Sequence, residues 1–233
     1  MQLIDRLVRL FAILVFSLMM AACAVPPRTM AFGNDAEKLT ANSDPVFLMT
    51  ATIKNLYKPA FQPKLELVSF DRSTANEKIP LFGILVDDKA KDESGSVENG
   101  NSYLLRIQLA PGQYRLMSLS GRAGAFPTIG HVIAPLHLPL QASGPGVFYL
   151  GHVNATLRER QGNEFKAGPS LPLVDQAVVG ASGGTFDVTI SDRQTEDEPA
   201  FRARFPALAG VPIKKAILPA FDRSYTQQFW EKN

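Results

Sequence analysis

Cysteine is nearly absent from this chain: it occurs once among 233 residues, at Cys23. One thiol forms no intramolecular disulfide and no site with several thiolate ligands, so the fold must rest on an apolar core. An excess of charge is lacking as well. The formal net charge is +2, and no long block of like charge occurs, which excludes the basic surface typical of nucleic-acid-binding proteins.

The sequence also lacks the common catalytic and nucleotide-binding motifs. It contains no glycine-rich phosphate loop, no dinucleotide fingerprint and no H-E-x-x-H. We therefore predict that the protein is not an enzyme and needs no cofactor, so that its function depends on binding.

The N-terminus has the pattern of a secretory signal peptide. Arg6 and Arg9 precede an apolar run at 11–20, and two small residues follow that run. A positive region, a short apolar region and small residues are typical of a segment that is removed after export. The apolar run is shorter than the roughly 20 residues that a membrane-spanning helix needs. We predict that residues 1–22 are this signal peptide.

The residues that follow define a lipid anchor. Met20-Ala21-Ala22-Cys23 resembles the lipobox of bacterial lipoproteins. The resemblance implies cleavage before Cys23, a diacylglycerol on its thiol and an acyl group on the new amine, which together hold a chain firmly on a membrane. In lipoproteins of enteric bacteria an Asp after this cysteine favours the inner membrane. Ala24 stands there, so the resemblance implies the outer membrane, facing the periplasm. The alternative is an uncleaved helix with an incidental cysteine.

Composition divides the remaining chain into three parts. Residues 23–43 contain two prolines and little apolar periodicity, which predicts a flexible tether. Residues 44–220 predict a β-sandwich domain, and residues 221–233 predict an aromatic amphipathic tail. Within the domain, the apolar run Val46–Ile53 predicts a strand that is buried on both faces for part of its length.

The sandwich prediction depends on short β-rich stretches separated by glycine and proline. Eight such stretches occur, at 46–53, 64–70, 80–86, 103–109, 114–120, 131–140, 147–157 and 185–191. This spacing is typical of a mainly β protein, an antiparallel β-sandwich of the immunoglobulin-like or transthyretin-like kind. Helical patterns occur only later, where Thr195 and Glu198 fit a capping box, so we expect one or two short helices near the C-terminus.

One strand pair is predicted most clearly. In Tyr103–Ser120, Leu105 and Ile107 alternate with Arg106, which predicts a buried face and a solvated face that carries Arg106. A Pro-Gly turn then returns the chain as a partner strand. This hairpin resembles those of transthyretin-like and carboxypeptidase-regulatory-like domains, a resemblance that favours a sandwich and implies no activity. The stretch Asp187–Leu208 resembles uncharacterised lipoproteins of proteobacteria, which implies no activity either.

Acidic and histidine residues are the candidate metal ligands. Asp192, Glu196 and Asp197 follow a strand end, and their oxygens suit Ca²⁺. Helix capping and the helix dipole explain the same acids, and we favour that explanation.

His131 and His137 share a strand face but lie about 20 Å apart at ~3.3 Å per residue, too far for one ion. The alternative is a meeting of His152, the third histidine, with either of them across strands, but we favour histidines that bind no metal.

Two further features bear on function. Gly180-Ala181-Ser182-Gly183-Gly184 matches the nucleophile elbow G-x-S-x-G, but a predicted strand follows it and all three histidines precede Ser182, so we expect a glycine-rich turn. Near the C-terminus, Tyr225, Phe229 and Trp230 either dock the tail on the sandwich or form a binding surface, because such aromatic residues are enriched in interfaces.

These observations predict a lipid-anchored, periplasm-facing binding or accessory protein of the bacterial envelope, with another envelope protein as its partner. The first alternative is a lipoprotein that binds a small ligand or a glycan, which requires a well-formed pocket. The second alternative is a serine hydrolase that uses Ser182.

Overall fold

The computed structural model describes residues 26–40, 42–73, 78–92, 99–126, 128–168 and 176–232. The predicted signal peptide and the predicted lipidation site at Cys23 lie outside these residues. Within the described ranges, no helix is long and apolar enough to cross a membrane.

Among the described residues, ten strands form two facing sheets, which confirms the predicted mainly β sandwich. The strands are β1 (Val46–Asn55), β2 (Lys64–Ser73), β3 (Lys78–Leu85), β4 (Lys91–Asp92), β5 (Asn101–Gln108), β6 (Gly112–Ala125), β7 (Thr128–Ala142), β8 (Val147–Glu159), β9 (Gly184–Ser191) and β10 (Ile213–Lys215). The smaller sheet has the order β3-β2-β6-β7. The larger sheet has the order β10-β8-β1-β5-β4, and β9 also pairs with β8.

The smaller sheet is antiparallel, whereas the larger sheet also contains parallel pairs. β8 pairs in parallel with β1 and, at its start, with β10. Its second half pairs antiparallel with β9, from His152 opposite Ser191 to Glu159 opposite Gly184. Since β1 and β8 are separated by most of the domain, their pairing is a long-range contact that local periodicity does not specify.

Alternating apolar side chains from both sheets fill the space between them. Phe47, Phe70, Phe186 and Leu105 are among the side chains that solvent does not reach there. Burying each such side chain stabilises the fold by roughly 1.5–3 kcal/mol. A hydrogen bond crosses the same layer, because the backbone N–H of Leu65 donates to the hydroxyl of Tyr103 at 3.0 Å.

Among the described residues, two α-helices follow β9, one on each side of β10 in the sequence, and the sequence predicts one or two. Helix α1 (Gln194–Arg204) packs on the outer face of the larger sheet, and helix α2 (Arg223–Lys232) lies close to β7. The expected capping box at Thr195 is not formed, because the helix already begins at Gln194, and Arg193, which precedes it, makes no side-chain cap. The other helix, α2, does have a side-chain cap: Asp222 accepts a hydrogen bond from the N–H of Tyr225 at 2.9 Å.

The hairpin expected for Tyr103–Ser120 is wrong in its pairing. β5 pairs with β1 and β4 in the larger sheet, whereas β6 pairs with β2 and β7 in the smaller one. The Pro-Gly turn between them therefore carries the chain from one sheet to the other. Alternation within each strand is correct, but a turn motif does not specify which strand becomes the partner.

A second apolar cluster covers the outer face of the larger sheet. Phe201 and Phe205 pack there with Val46 and Leu104, and Phe32 from the N-terminal segment joins them. This cover explains why β1 is buried on both faces over its first residues, as its continuous apolar run predicts.

Part of the predicted tether packs on the domain, with Phe32 in this outer cluster and Met30 in the core between the sheets. Arg28 exchanges backbone hydrogen bonds with Gly83 and Leu85 of β3, each 2.8 Å long. Met30 and Phe32 are buried, although residues 23–43 were expected to form a flexible tether. Short apolar segments without periodicity are ordered when a preformed sheet face accepts them, which composition alone does not indicate.

Arg106 is the side chain whose environment differs most from the expectation. The alternation of β5 predicts a solvated side chain, yet Arg106 is 0% exposed. The segment around Ala31 and the ring of Phe205 close over it, with the guanidinium 4.2 Å from the ring centroid. Asp87 provides the countercharge through two hydrogen bonds.

Candidate functional site

The first candidate site depends on an irregularity in the edge strand β7. The register between β6 and β7 shifts so that Leu136 and His137 together face the single residue Met117. This is a β-bulge, a feature that redirects a side chain locally. His137 has φ 54°, which is unusual and costly for a residue other than glycine. The position of β7 at the sheet edge agrees with its two prolines, since proline donates no ladder hydrogen bond.

A groove lies beside this bulge, between helix α2 and the smaller sheet. It has a volume of about 380 Å³ and a mainly apolar lining. The sheet contributes side chains that alternate with core residues, among them Ile133, Pro135 and His137, and α2 contributes Phe229 and Trp230. We call this space the α2 groove. Its volume is within the range of small-molecule sites.

His137 is one of the polar groups of the α2 groove, which Ser118, Lys166 and Thr226 also line. Its ring lies against Phe229, with centroids 4.2 Å apart, and it meets Tyr225 edge-on at 6.0 Å. Among the described residues, its Nδ1 is buried and finds no hydrogen-bond partner. Burial and the positive charge of Arg115 lower the pKa of His137, so the imidazole is neutral at pH 7. A buried nitrogen without a partner costs free energy that a ligand with a polar group would recover.

Helix α2 is held beside the groove by polar contacts on its other side. Glu164 accepts hydrogen bonds from Arg158 of β8 and from Arg223 of α2, the latter at 2.7 Å. Gln227 accepts from the N–H of Phe165 at 2.7 Å and donates to the carbonyl of Asn163 at 2.7 Å. Because these contacts fix the helix, its aromatic side chains keep their place along the groove.

The three predicted aromatic residues divide between wall and rim. Phe229 and Trp230 line the α2 groove, whereas Tyr225 contacts Arg115, whose guanidinium donates to its hydroxyl at 2.6 Å. All three are partly exposed, Trp230 at 39%. The tail therefore docks on the domain and leaves part of each ring exposed, and a binding role for these rings stays a prediction.

A second candidate site lies on the outer face of the larger sheet, under the first turns of α1. Thr52 of β1, Ser102 of β5 and His152 of β8 share this face, because Ser102 and Asn154 are the two ladder partners of Thr52. They line a cavity of about 410 Å³ that Asp197 of α1 closes from above. We call it the α1 cavity.

Polar side chains in the α1 cavity form one continuous hydrogen-bonded series. His152 Nδ1 lies 3.1 Å from Asp197 Oδ2, and His152 Nε2 lies 2.9 Å from Thr52 Oγ1. Thr52 Oγ1 is in turn 2.5 Å from Ser102 Oγ. The hydroxyl of Tyr149 donates to Asp197 Oδ2 at 2.6 Å. This series also fastens α1 to the sheet.

The charge of Asp197 determines the direction of these hydrogen bonds. Burial alone raises its pKa, but hydrogen bonds from His152 and Tyr149 outweigh burial and lower the pKa below its usual value. Burial and the same bond raise the pKa of Tyr149, which stays protonated. An ionised carboxylate only accepts, so His152 Nδ1 donates to it. In the neutral imidazole, Nε2 then accepts from the hydroxyl of Thr52.

The three acids that were considered as metal ligands have different partners. Asp192 pairs with Lys215 at 2.6 Å, and Glu196 pairs with Arg193 at 2.7 Å. Asp197 faces inward to Tyr149. In the part of the chain that the structure describes, no three His, Cys, Asp or Glu side chains lie close enough to hold one metal ion. Local cation pairing accounts for the two exposed acids.

The three histidines are not brought together. His137 belongs to the smaller sheet and His152 to the larger one. His131 is exposed at the other end of β7, where its backbone N–H donates to Gln176 at 2.7 Å.

Ser182 lies in a turn at 177–183, and strand β9 follows it directly. The strand-turn-helix geometry of a nucleophile elbow is therefore missing there.

Comparisons with protein-family models, with curated proteins and with solved structures gave no significant match. A sandwich hosts many unrelated functions, so the function has to be argued from the two sites themselves.

The sequence pattern predicted Phe229 and Trp230 as candidate binding residues but did not predict their neighbour His137 as a groove residue. The two prolines that flank His137 in an otherwise regular strand were the available sign of a bulge. The α1 cavity was not predicted from the sequence either, because its members Thr52 and His152 are 100 positions apart.

Proposed function

We propose that this protein is a lipid-anchored, periplasm-facing binding protein of the bacterial envelope, and that the α2 groove binds a small amphipathic molecule. The observation that carries the proposal is the buried, unpartnered Nδ1 of His137 in a mainly apolar groove. Lipid attachment at Cys23, inferred from the N-terminal sequence, would hold this groove near a membrane, where such molecules are concentrated.

The lining defines what the ligand must offer. An apolar or aromatic body packs on Ile133 and Pro135 from the sheet and on Phe229 and Trp230 from α2. One polar group of the ligand supplies the hydrogen-bond partner that His137 lacks. Burial of an aromatic body adds stacking on these rings to the hydrophobic contribution.

The strained backbone supports a binding role for this place. A β-bulge with positive φ at a histidine is unfavourable for stability by roughly 1–3 kcal/mol, and such features cluster at functional sites. Regular pairing of β7 would place a different side chain beside Phe229. The bulge therefore serves to present His137 to the groove.

The proposal is tested with N-phenyl-1-naphthylamine, an apolar aromatic amine with a single N–H donor. Trp230 is the only tryptophan of the chain and lines the groove, so energy transfer from Trp230 to the bound dye reports occupancy. We expect saturable binding of one dye per chain. Phe229→Ala should weaken binding about tenfold, or about 1.4 kcal/mol, through loss of one aromatic wall.

Phe126→Ala is the matched control, because Phe126 is 90% exposed and does not line the groove. This variant should bind the dye as the wild type does. A small-ligand groove would be contradicted if Phe126→Ala and Phe229→Ala reduced dye binding equally, or if the wild type showed no saturable binding. In that case, a protein cross-linked specifically from position 230 would favour the envelope-protein partner predicted from the sequence.

A further inference from the structure

We propose that the α1 cavity is a second, catalytic site that hydrolyses short-chain carboxylic esters, with Thr52 as the nucleophile and His152 as the general base. Nucleophilic catalysis needs a hydroxyl within hydrogen-bond reach of a base that a third group orients. Thr52, His152 and Asp197 meet this requirement, with separations of 2.9 and 3.1 Å, and all three line one cavity. This site is separate from the α2 groove, which lies on the other sheet.

The direction of the hydrogen bonds is the one that the reaction requires. Asp197 accepts from His152 Nδ1, so Nε2 has its lone pair toward the hydroxyl of Thr52. Because Thr52 donates its one proton to Nε2 of His152, Ser102, whose Oγ lies 2.5 Å from the oxygen of Thr52, is assigned as the donor in that contact. Asp197, which the hydroxyl of Tyr149 also holds, acts as a positioning residue.

The chemical step balances without any further reagent. The oxygen of Thr52 bonds to the ester carbonyl carbon while its proton moves to Nε2 of His152. The bond to the leaving alcohol then breaks, and His152 returns that proton to the leaving oxygen. Water attacks the acyl-threonine in the same way: His152 takes a proton from the water and gives it to the oxygen of Thr52, and the carboxylic acid leaves.

Asn154 is the candidate donor to the carbonyl oxygen. It is the ladder partner of Thr52 on β8, and its side chain lines the same cavity. Neighbouring strands lie about 5 Å apart, a spacing at which an amide N–H reaches an oxygen developing beside Thr52. One such donor contributes about 10²–10³ to the rate in other acyl-transfer sites.

The lining also indicates the substrate class. Apart from Gly100, Leu104 and Ala200, the residues around the reacting groups are polar or charged, with Asn99, Asn154 and Ser102 offering amides and hydroxyls. The small apolar patch suits a short acyl group, and the amides suit the hydroxyl groups of a sugar. We therefore assign O-acetylated carbohydrates as the chemical class.

The test compares hydrolysis of p-nitrophenyl acetate and of penta-O-acetylglucose by the purified chain and its variants. Thr52→Val should lower turnover at least 100-fold, and Thr52→Ser should keep it within tenfold of the wild type. Thr52→Val keeps the contacts of α1 intact, because Asp197 contacts Tyr149 and His152 rather than Thr52. Ser182→Ala, which changes a serine in a turn, should have no effect.

Further variants separate catalysis from structural support. His152→Gln should abolish turnover, while Asp197→Asn should lower kcat at least tenfold with KM unchanged. A fluorophosphonate probe should form an adduct at Thr52, located by mass spectrometry of the digested protein. Three outcomes would each overturn the proposal. Thr52→Val could leave turnover unchanged, the adduct could form at Ser102 rather than at Thr52, or the wild-type rate could equal that of buffer.

Discussion

At the scale of single residues, Arg106 shows how far environment can override type. It is fully buried, and its guanidinium lies on the ring of Phe205 while it donates to Asp87 and to the carbonyl of Ala31. Burying an ion is unfavourable unless a countercharge and hydrogen bonds compensate. Arg106 therefore links the N-terminal segment, β5 and the turn after β3 at a single point.

Removal of its countercharge should be strongly destabilising. We expect Asp87→Ala to lower the free energy of unfolding by about 3 kcal/mol, because it leaves a buried guanidinium unpaired. Asp88→Ala, at the exposed neighbouring position, should change it by less than about 0.5 kcal/mol. Urea unfolding of both variants measures the difference, and equal effects would show that Asp87 does not compensate Arg106.

At the scale of elements, helix α2 depends on polar docking more than on apolar burial. Only Thr226 of this helix is buried. Glu164 connects the helix to β8 through Arg223 and Arg158, and Arg223 also donates to Asp187 of β9. Hydrogen bonds from Arg158 are the largest cause that holds the pKa of Glu164 well below its ordinary value of 4.5.

This lowered pKa predicts how stability depends on pH. Since the folded pKa of Glu164 is below the unfolded one, its contribution is fully present above pH 4.5 and is lost as pH falls toward the folded pKa. We expect Glu164→Gln to lower the free energy of unfolding by about 1 kcal/mol at pH 7 and progressively less below pH 4.5. Urea unfolding at pH 7 and at several pH values below 4.5 measures this, with Glu159→Gln, an exposed change in β8, as the control. A pH-independent difference would contradict the linkage.

At the scale of the whole molecule, the two candidate sites lie on different sheets. The α2 groove uses the smaller sheet and the α1 cavity the larger one. The proposed lipid on Cys23 would join both to one membrane, through a segment that already contacts the domain at Arg28. This leaves only a few residues between the anchor and the folded part.

The anchor is tested by metabolic labelling with an alkyne analogue of palmitate in a bacterial host. We expect the wild-type chain to take the label and to sediment with the membrane, and Cys23→Ala to lose the label, because no other thiol exists. Ala24→Ser keeps the cysteine and should be labelled as the wild type is. A wild-type chain without label would overturn the lipoprotein proposal.

Sequence by itself determined the strand positions and the sandwich class. Alternating or continuous apolar runs are local properties, and they predicted the strands from β1 to β9 to within a few residues, with β4 as the exception. The same patterns predicted the docked aromatic residues of α2 only as alternatives, since their partner surface belongs to β7.

Tertiary structure alone decided which strands pair and which side chains meet. β5 alternates correctly, yet its second face is covered by chain from both ends of the sequence, so Arg106 is buried. The relation between Thr52, His152 and Asp197 likewise arises from the parallel pairing of β1 with β8 and the docking of α1. Periodicity specifies which face a side chain is on, but long-range packing selects what covers that face.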